Sequence, residues 1–205
     1  MATPEEIMEI VGAGPWTDAQ DYLRMDERRA LSLFIRQASR TIPLVRDDPG
    51  EWMLLIESVH GATQIAMAAH LSGSARIGAQ TSSSATRVLN GDWSRERSAD
   101  FGELLDRLSG TKARIESDAP VLAVSTSEKE DLILLNELRC GLVHIMPVGW
   151  SIEIVGLPRL ALTGARIVQR IIQSGFMLRV ADEDECVALG DAVARLVGAL
   201  EALDV

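Results

Sequence analysis

The chain has 205 residues, of which 47% are apolar, 24% are charged and only 4% are aromatic. This balance is that of a globular protein and excludes a largely disordered chain. The scarcity of aromatic residues favours helix over sheet, because aliphatic side chains must build the core. The formal net charge of -10 excludes a general nucleic-acid coat protein, because a uniformly acidic surface repels phosphate backbones.

Neither a secretory signal nor a membrane span is predicted. The sequence Met-Ala-Thr-Pro-Glu-Glu has no basic start followed by an apolar stretch. The most apolar stretch, 52–71, is interrupted by polar residues and is interpreted as a buried core helix. Cys140 and Cys186 are too few for a disulfide framework. Together these features predict a cytoplasmic protein with no membrane partner.

Helical periodicity accounts for most of the N-terminal half. A short helix is predicted over 4–11 and is ended by the turn sequence Gly-Ala-Gly-Pro at 12–15. The next helix is expected to take Thr17 as its N-cap and to end before Pro43. Residues 51–71 form the most apolar predicted helix, which we expect at the centre of a bundle.

Residues 74–120 are predicted to be an insertion or side-helix region packed on the main bundle. Small residues such as Ser, Gly, Ala and Thr dominate 74–85, which is typical of a loop or a weak helix start. The following stretch, 86–114, is mixed in charge and carries an apolar stripe.

A strong helix is predicted after this region. Ser127 and Glu130 match a capping box and indicate its start. It should end near His144, because Pro147 disfavours helix at the residue before it.

The remaining chain predicts an arm and two helices. Residues 150–155 alternate in polarity and indicate a very short strand or an extended arm. An amphipathic helix is predicted over 160–174, and a last helix begins with Asp182 as its cap. Residues 1–205 are therefore predicted to form one all-α domain, an antiparallel helical bundle with additional helices. Its core is expected from 52–71, 132–143 and 187–203.

No metal and no cofactor is predicted. His60 and His70 lie ten residues apart on one helix, too far along it to share an ion, and are interpreted as buried or half-buried helix residues. The sequence Gly12-Ala-Gly14 follows a helix rather than a strand, so it is interpreted as a linker and not as a nucleotide loop.

The segment 136–144, Asn-Glu-Leu-Arg-Cys-Gly-Leu-Val-His, is the one concentrated indication of chemistry. Arg139 and His144 form an R-x4-H pattern, with Glu137 and Cys140 as neighbours, at the end of an apolar helix. Metal-independent RNA cleavage needs a group that takes the 2′-hydroxyl proton and a cation that holds the phosphate. Histidine titrates near neutrality and arginine binds phosphate oxygens through paired N–H groups.

This segment resembles the motif of the HEPN superfamily, small all-α bundles whose signature is an Arg, four to six residues, then a His near the end of a late helix. The resemblance covers the motif and the helical organisation, not the full length. It implies a homodimer that brings two motifs together in a cleft, and a ribonuclease of the toxin or defence type. Cys140 stands where the family usually has a polar residue, and Met146 where a related subgroup has a Tyr.

Three hypotheses stay open. In the first, Arg139 and His144 are the catalytic residues of a HEPN-like dimeric ribonuclease acting on RNA. In the second, the chain is a non-catalytic binding or regulatory module: Arg139 pairs with a carboxylate such as Glu137 or Glu57, and His144 caps its own helix. The third is an unrelated helical scaffold in which both residues are buried and apart. A protein partner is left unspecified.

Overall fold

The regular secondary structure of the described chain is helical. The structure, a computed structural model, describes residues 25–73, 77–94, 96–143, 151–177 and 183–203. Over these ranges the α-helices are α1 (Glu27–Thr41), α2 (Glu51–Ser72), α3 (Ser82–Leu89), α4 (Phe101–Leu108), α5 (Thr126–Val143), α6 (Leu157–Gln173) and α7 (Glu183–Glu201). No strand forms in these ranges, so the all-α prediction is confirmed. The antiparallel HEPN-like arrangement stays a prediction.

The central helix is α2, as its sequence predicts. It is apolar on nearly every side, and a helix of that kind is stable only when neighbours cover it all round. Helices α1, α4, α5 and α6 all contact it. Twelve of its 22 residues are buried, including His60 and His70. The interpretation of 52–71 as a buried core helix is therefore confirmed.

The helix α1 starts later than predicted. Asp26 has extended backbone (φ -128°, ψ 176°), and its carboxylate accepts a hydrogen bond from the Arg29 N–H at 2.8 Å. Asp26 is therefore the N-cap, and a continuous helix capped by Thr17 is wrong. The predicted end is confirmed, because a 3₁₀ turn that contains Pro43 follows α1. The predicted helix 4–11, the linker 12–15 and Thr17 itself lie outside the described residues.

The main core draws on three more helices than predicted, because α1, α4 and α6 also contribute buried side chains. The expected stretches 52–71, 132–143 and 187–203 all contribute buried side chains. The amphipathic helix α6 adds a further set, which packs between α2, α5 and α7. It begins three residues before the predicted 160, with Pro158 in its first turn, where a missing N–H costs nothing.

Close approach of α6 to α2 and α5 depends on Gly164. A Cβ atom at this position would lie 2.7 Å from Val59 Cγ1 and 3.1 Å from Leu135 Cδ2. Residue 164 therefore has to lack a side chain for the three helices to pack at this distance.

A buried carboxylate ties α5 to α6. Asp131 is only 7% exposed, and its side chain accepts a hydrogen bond from Thr163 Oγ1 at 3.0 Å. Its other oxygen pairs with Arg159 at 2.8 Å. A buried carboxylate is tolerated because both oxygens are satisfied, so this contact fixes how the two helices face each other.

The region 74–120 contains α3, α4 and irregular chain. Arg107 is fully buried, and its Nη1 donates to the carbonyl oxygens of Gly78 at 2.9 Å and Gln80 at 2.6 Å. Its Nη2 pairs with Glu103 at 2.7 Å. This arginine holds the chain before α3 against α4, whose residues Phe101, Leu104, Leu105 and Leu108 belong to the main core.

Residues 151–155 form no strand. Ile152 and Ile154 are half-buried against the main core, whereas Ser151, Glu153 and Val155 are exposed. The alternating polarity therefore reflects one side of an arm that packs on the helices without a partner strand. Trp150 lies outside the described residues.

The close approach at Gly164 gives a test of the packing. We expect Gly164→Ala to lower the free energy of unfolding by about 1–3 kcal/mol, because the added methyl overlaps Val59 and Leu135. Gly198→Ala is the matched control: Gly198 also lies in a helix, and nothing lies within 4 Å of the place that a Cβ atom would take there. That change should raise the free energy of unfolding by up to about 1 kcal/mol. Equal effects in chemical denaturation would contradict the packing.

Candidate functional site

The motif helix α5 starts two residues earlier than predicted. Ser125 Oγ accepts from the Glu128 N–H at 3.2 Å, and the Ser125 N–H donates to Glu128 Oε2 at 2.8 Å. These reciprocal bonds are a capping box. The predicted box of Ser127 and Glu130 is therefore wrong. The sequence contains two overlapping S-x-x-E patterns, and tertiary contacts select the first.

The contact that favours the capping box of Ser125 and Glu128 comes from α6. Arg170 Nη2 donates to Glu128 Oε1 at 2.7 Å, and its Nη1 donates to the Ala123 carbonyl oxygen at 2.6 Å. Burial raises the pKa of Glu128, but hydrogen bonds from Ser125 and the charge of Arg170 outweigh it and hold the pKa below its ordinary value. The carboxylate is thus kept ionised at the start of α5, where the helix dipole favours it.

The second half of α5 carries the motif. Arg139 and Cys140 are half-buried and Glu137 is exposed. The helix is described through Val143. His144 lies outside the described residues, so its position relative to Arg139 stays a prediction.

Arg139 has no carboxylate partner in the described part of the chain. Seven ion pairs occur there, and none involves Arg139. Glu137 and Glu57, the two partners expected if Arg139 were structural, are both exposed. Over the described residues the guanidinium therefore keeps its charge uncompensated by direct pairing.

A buried histidine lies beneath the motif. His60 of α2 is 2% exposed, and its ring stacks on Phe101 with 4.7 Å between centroids and 21° between planes. Its Nε2 lies 2.9 Å from Oδ1 of Asn136, one turn before Arg139 on α5. Because an amide oxygen only accepts, His60 carries its proton on Nε2 and donates it.

The environment of His60 keeps the ring neutral. Burial lowers its pKa most, the hydrogen bond to Asn136 opposes this, and the charge of Arg139 lowers the pKa further. The net pKa lies below the ordinary value of histidine. Protonation of His60, which would add a second positive charge near Arg139, is therefore disfavoured near neutral pH.

His60 and Asn136 were not among the predicted site residues. The sequence does place Asn136 and Arg139 three positions apart, which brings them side by side on a helix. It also places His60 in an apolar helix, where a polar group needs a partner. The partner lies on another helix, and the spacing of residues along the chain does not indicate which helix that is.

His70 has a separate surrounding. It is fully buried, donates from Nε2 to the Pro120 carbonyl oxygen at 2.9 Å and meets the ring of Phe176 edge-on at 5.5 Å. Burial lowers its pKa most, the bond to Pro120 opposes this, and the charge of Arg114 lowers the pKa further. The interpretation of both histidines as buried helix residues is confirmed.

An apolar cavity lies beside the motif helix. It has a volume of about 250 Å³ and opens between the start of α2, the end of α5 and residues 152–157. Its walls include Ile56, Leu138, Leu142 and Ile152. None of the residues that line it supplies an acid, a base or a nucleophile, so the lining of the cavity holds no catalytic group.

Metal binding and membrane crossing find no support within the described residues. No group of three or more His, Cys, Asp or Glu side chains there is arranged to hold a metal ion. None of the helices formed by this part of the chain combines the length and apolar character that a membrane crossing requires.

Comparison of the chain with protein-family models, with curated proteins and with solved structures returned no match.

The two buried histidines predict a loss of stability in mild acid. Their folded-state pKa values lie below the unfolded value of about 6.5, so the unfolded chain takes up protons first as the pH falls. Stability is complete above that value and decreases below it, by at most about 1.4 kcal/mol per pH unit for each histidine. Chemical denaturation between about pH 8 and 5.5 measures this while Glu128 stays ionised.

The variant His60→Gln isolates one contribution. It lacks the titrating ring, so the slope of unfolding free energy against pH should be smaller than in the parent. An identical slope would contradict a neutral, buried His60.

Proposed function

We propose that the chain is a HEPN-like dimeric protein that cleaves RNA without a metal ion, with Arg139 and His144 as the catalytic residues. The observation that supports this most directly is the state of Arg139. The residue is half-buried, and its guanidinium lacks a carboxylate partner in the described part of the chain. An arginine in that state is available to an anionic ligand.

The neighbours of Arg139 are more informative than its lack of an ion pair. On a chain of net charge -10, Arg28, Arg159, Arg166 and Arg170 pair with carboxylates, whereas Arg36, like Arg139, forms no ion pair among the described residues. The unpaired Arg139 lies next to Asn136, a neutral hydrogen-bonding residue, and above a histidine held neutral. Local charge thus favours a phosphate here although the whole chain does not.

The proposed reaction follows from the residue types. His144 takes the proton of a 2′-hydroxyl, whose oxygen forms a bond to the adjacent phosphorus while the bond from phosphorus to the 5′-oxygen breaks. The leaving 5′-oxygen accepts a proton, giving a 2′,3′-cyclic phosphate and a 5′-hydroxyl. Arg139 holds the phosphate oxygens while negative charge builds on them.

Dimerisation is part of the proposal, because it would bring two motif helices together. The outer face of α5 carries Ile133 and Leu134, which are 43% and 41% exposed. Gly141 on the same helix has nothing within 4 Å of its Cβ position. A self-complementary pairing of two such faces would bury this apolar surface in a two-fold interface.

A non-catalytic binding or regulatory module is the second candidate. It is favoured by the packing role of Asn136, which partners a buried histidine, and by Cys140 at a position where a polar residue is usual. In that case RNA or a partner protein would be bound and not cleaved.

Cleavage is tested with total RNA and with the variants Arg139→Gln and His144→Ala. We expect the parent to cut RNA in the presence of a metal chelator and both variants to lose activity by at least about a hundredfold. Arg139→Gln should cost under about 1 kcal/mol of stability, because it breaks no ion pair among the described residues. Arg36→Gln, which removes an exposed arginine of α1, is the matched control and should stay active.

The outcomes separate the two candidates. RNA binding without cleavage in the parent would favour the non-catalytic module. A large fall in melting temperature for Arg139→Gln, together with an inactive parent, would rule out the ribonuclease. Cys140→Asn restores the usual polar residue and should preserve or raise activity.

The dimer is tested by light scattering or sedimentation. We expect the parent to have twice the chain mass of 22.3 kDa at micromolar concentration. Leu134→Glu should shift it to the monomer, because a buried charge in an apolar interface is strongly disfavoured. Leu89→Glu is the control, since Leu89 is 59% exposed on α3, away from the motif helix. A monomeric parent would contradict the interface and weaken the enzymatic proposal.

A further inference from the structure

The hydrogen bond between His60 and Asn136 orients an amide at the surface of α5. His60 is held on one side by its stack on Phe101 and is only 2% exposed. Its Nε2–H points to Asn136 Oδ1 at 2.9 Å. The amide oxygen therefore faces inward, where it accepts the hydrogen bond from His60.

The nitrogen of the same amide is consequently turned the other way. Nδ2 and Oδ1 are the two arms of one planar group, so fixing the oxygen fixes the nitrogen as well. Asn136 is half-buried, and no acceptor for its NH₂ group occurs among the described residues. Two N–H donors are thus held in place without an internal partner.

Arg139 follows Asn136 by three positions on the same helix. Positions three apart on a helix are neighbours on its surface. The charge of Arg139 contributes to the lowered pKa of His60, which agrees with this placement. Like the amide nitrogen, the guanidinium has no acceptor within the described part of the chain. The two side chains together offer only donors on the face that they share.

We propose that Asn136 Nδ2 and Arg139 form a clamp for a phosphate group, and that His60 is the positioning residue that aims the amide into it. This rests on the proposed function, in which Arg139 binds the reacting phosphate, and it adds two residues to that site.

Phosphate fits this donor set better than carboxylate does. The two parallel N–H groups of one guanidinium already match both oxygens of a carboxylate. A phosphate presents further oxygens outside that plane, and the separate amide donor can reach one of them. The clamp therefore takes either free phosphate or a phosphodiester, and two experiments distinguish these sources.

The first experiment titrates isotope-labelled protein with inorganic phosphate, with sodium chloride at matched ionic strength as the reference. We expect the side-chain amide resonance of Asn136 to move with phosphate and not with chloride. Arg139→Gln should abolish the response, and Asn136→Leu should weaken phosphate affinity about tenfold. An unmoved amide resonance, or unchanged affinity in Asn136→Leu, would overturn the clamp.

The positioning role is tested by two substitutions of His60. His60→Phe keeps a ring on Phe101 but lacks the donor, so its phosphate affinity should fall toward that of Asn136→Leu. His60→Gln restores an N–H donor and should recover part of the loss. The control is His70→Phe: His70 lies on the same helix and is equally buried, but its hydrogen bond goes to Pro120. This change should lower stability without altering phosphate affinity.

Asn136→Asp keeps the result decisive if His60→Phe fails to fold. The aspartate still accepts the hydrogen bond from His60, but an oxygen replaces the donating nitrogen. Its phosphate affinity should fall by more than about tenfold. Affinity equal to the parent would overturn the proposal.

The second experiment uses a single-stranded RNA oligonucleotide with 2′-O-methyl groups, which cannot be cleaved because the attacking hydroxyl is blocked. Its binding should weaken in Asn136→Leu by the same factor as phosphate binding. Cleavage of ordinary RNA that depends on Arg139 but not on Asn136 would leave the ribonuclease standing and overturn the clamp. Phosphate binding that needs both residues, without RNA cleavage, would support the clamp and end the ribonuclease proposal.

Discussion

Burial of more than half of α2 among the other helices governs how the rest of the molecule is arranged. A helix placed at the centre of a bundle removes its polar side chains from water, and each of them then needs a hydrogen-bonding partner inside the protein. Thr63 uses the carbonyl oxygen of Val59 on its own helix. His60 and His70 cannot do this with their ring Nε2 atoms, and they use Asn136 and the Pro120 carbonyl oxygen. Packing of the centre therefore dictates which parts of the outer chain lie against it.

This requirement connects the core to the motif. Asn136 satisfies His60, so the half of α5 that carries Arg139 is fixed against α2 and α4. The other half of α5 is fixed by its capping box and by Asp131, which binds α6. Arg139 thus lies on a helix that is held at several points, and the proposed binding role requires such preorganisation. In the proposed clamp, Asn136 serves the core with its amide oxygen and the surface with its amide nitrogen.

The arginines of this chain divide into two kinds. Arg107 is fully buried and takes part in four hydrogen bonds or ion pairs. Its guanidinium therefore has a structural role, because it binds the chain that precedes α4. Arg139 is half-exposed and has no such partners among the described residues. The sequence shows only that arginine is abundant and lysine rare. Burial and neighbours decide which arginine is structural and which is available to a ligand.

The sequence by itself determined the all-α class, the central position of α2 and three of the helical segments that contribute to the core. Apolar periodicity and composition are local properties, and they are strong enough to fix these features. The sequence also identified Arg139, although not His60 or Asn136, as part of a candidate site.

Tertiary structure decided the rest, because the competing local patterns were equally good. Two S-x-x-E patterns could cap α5, and contact with Arg170 selected Ser125 over Ser127. The alternation at 151–155 fitted either a very short strand or an extended arm, and the described chain forms the arm against the core because it offers no partner strand. The pairing of His60 with Asn136 joins residues 76 positions apart. No local preference encodes such a contact, since it exists only once the helices have packed.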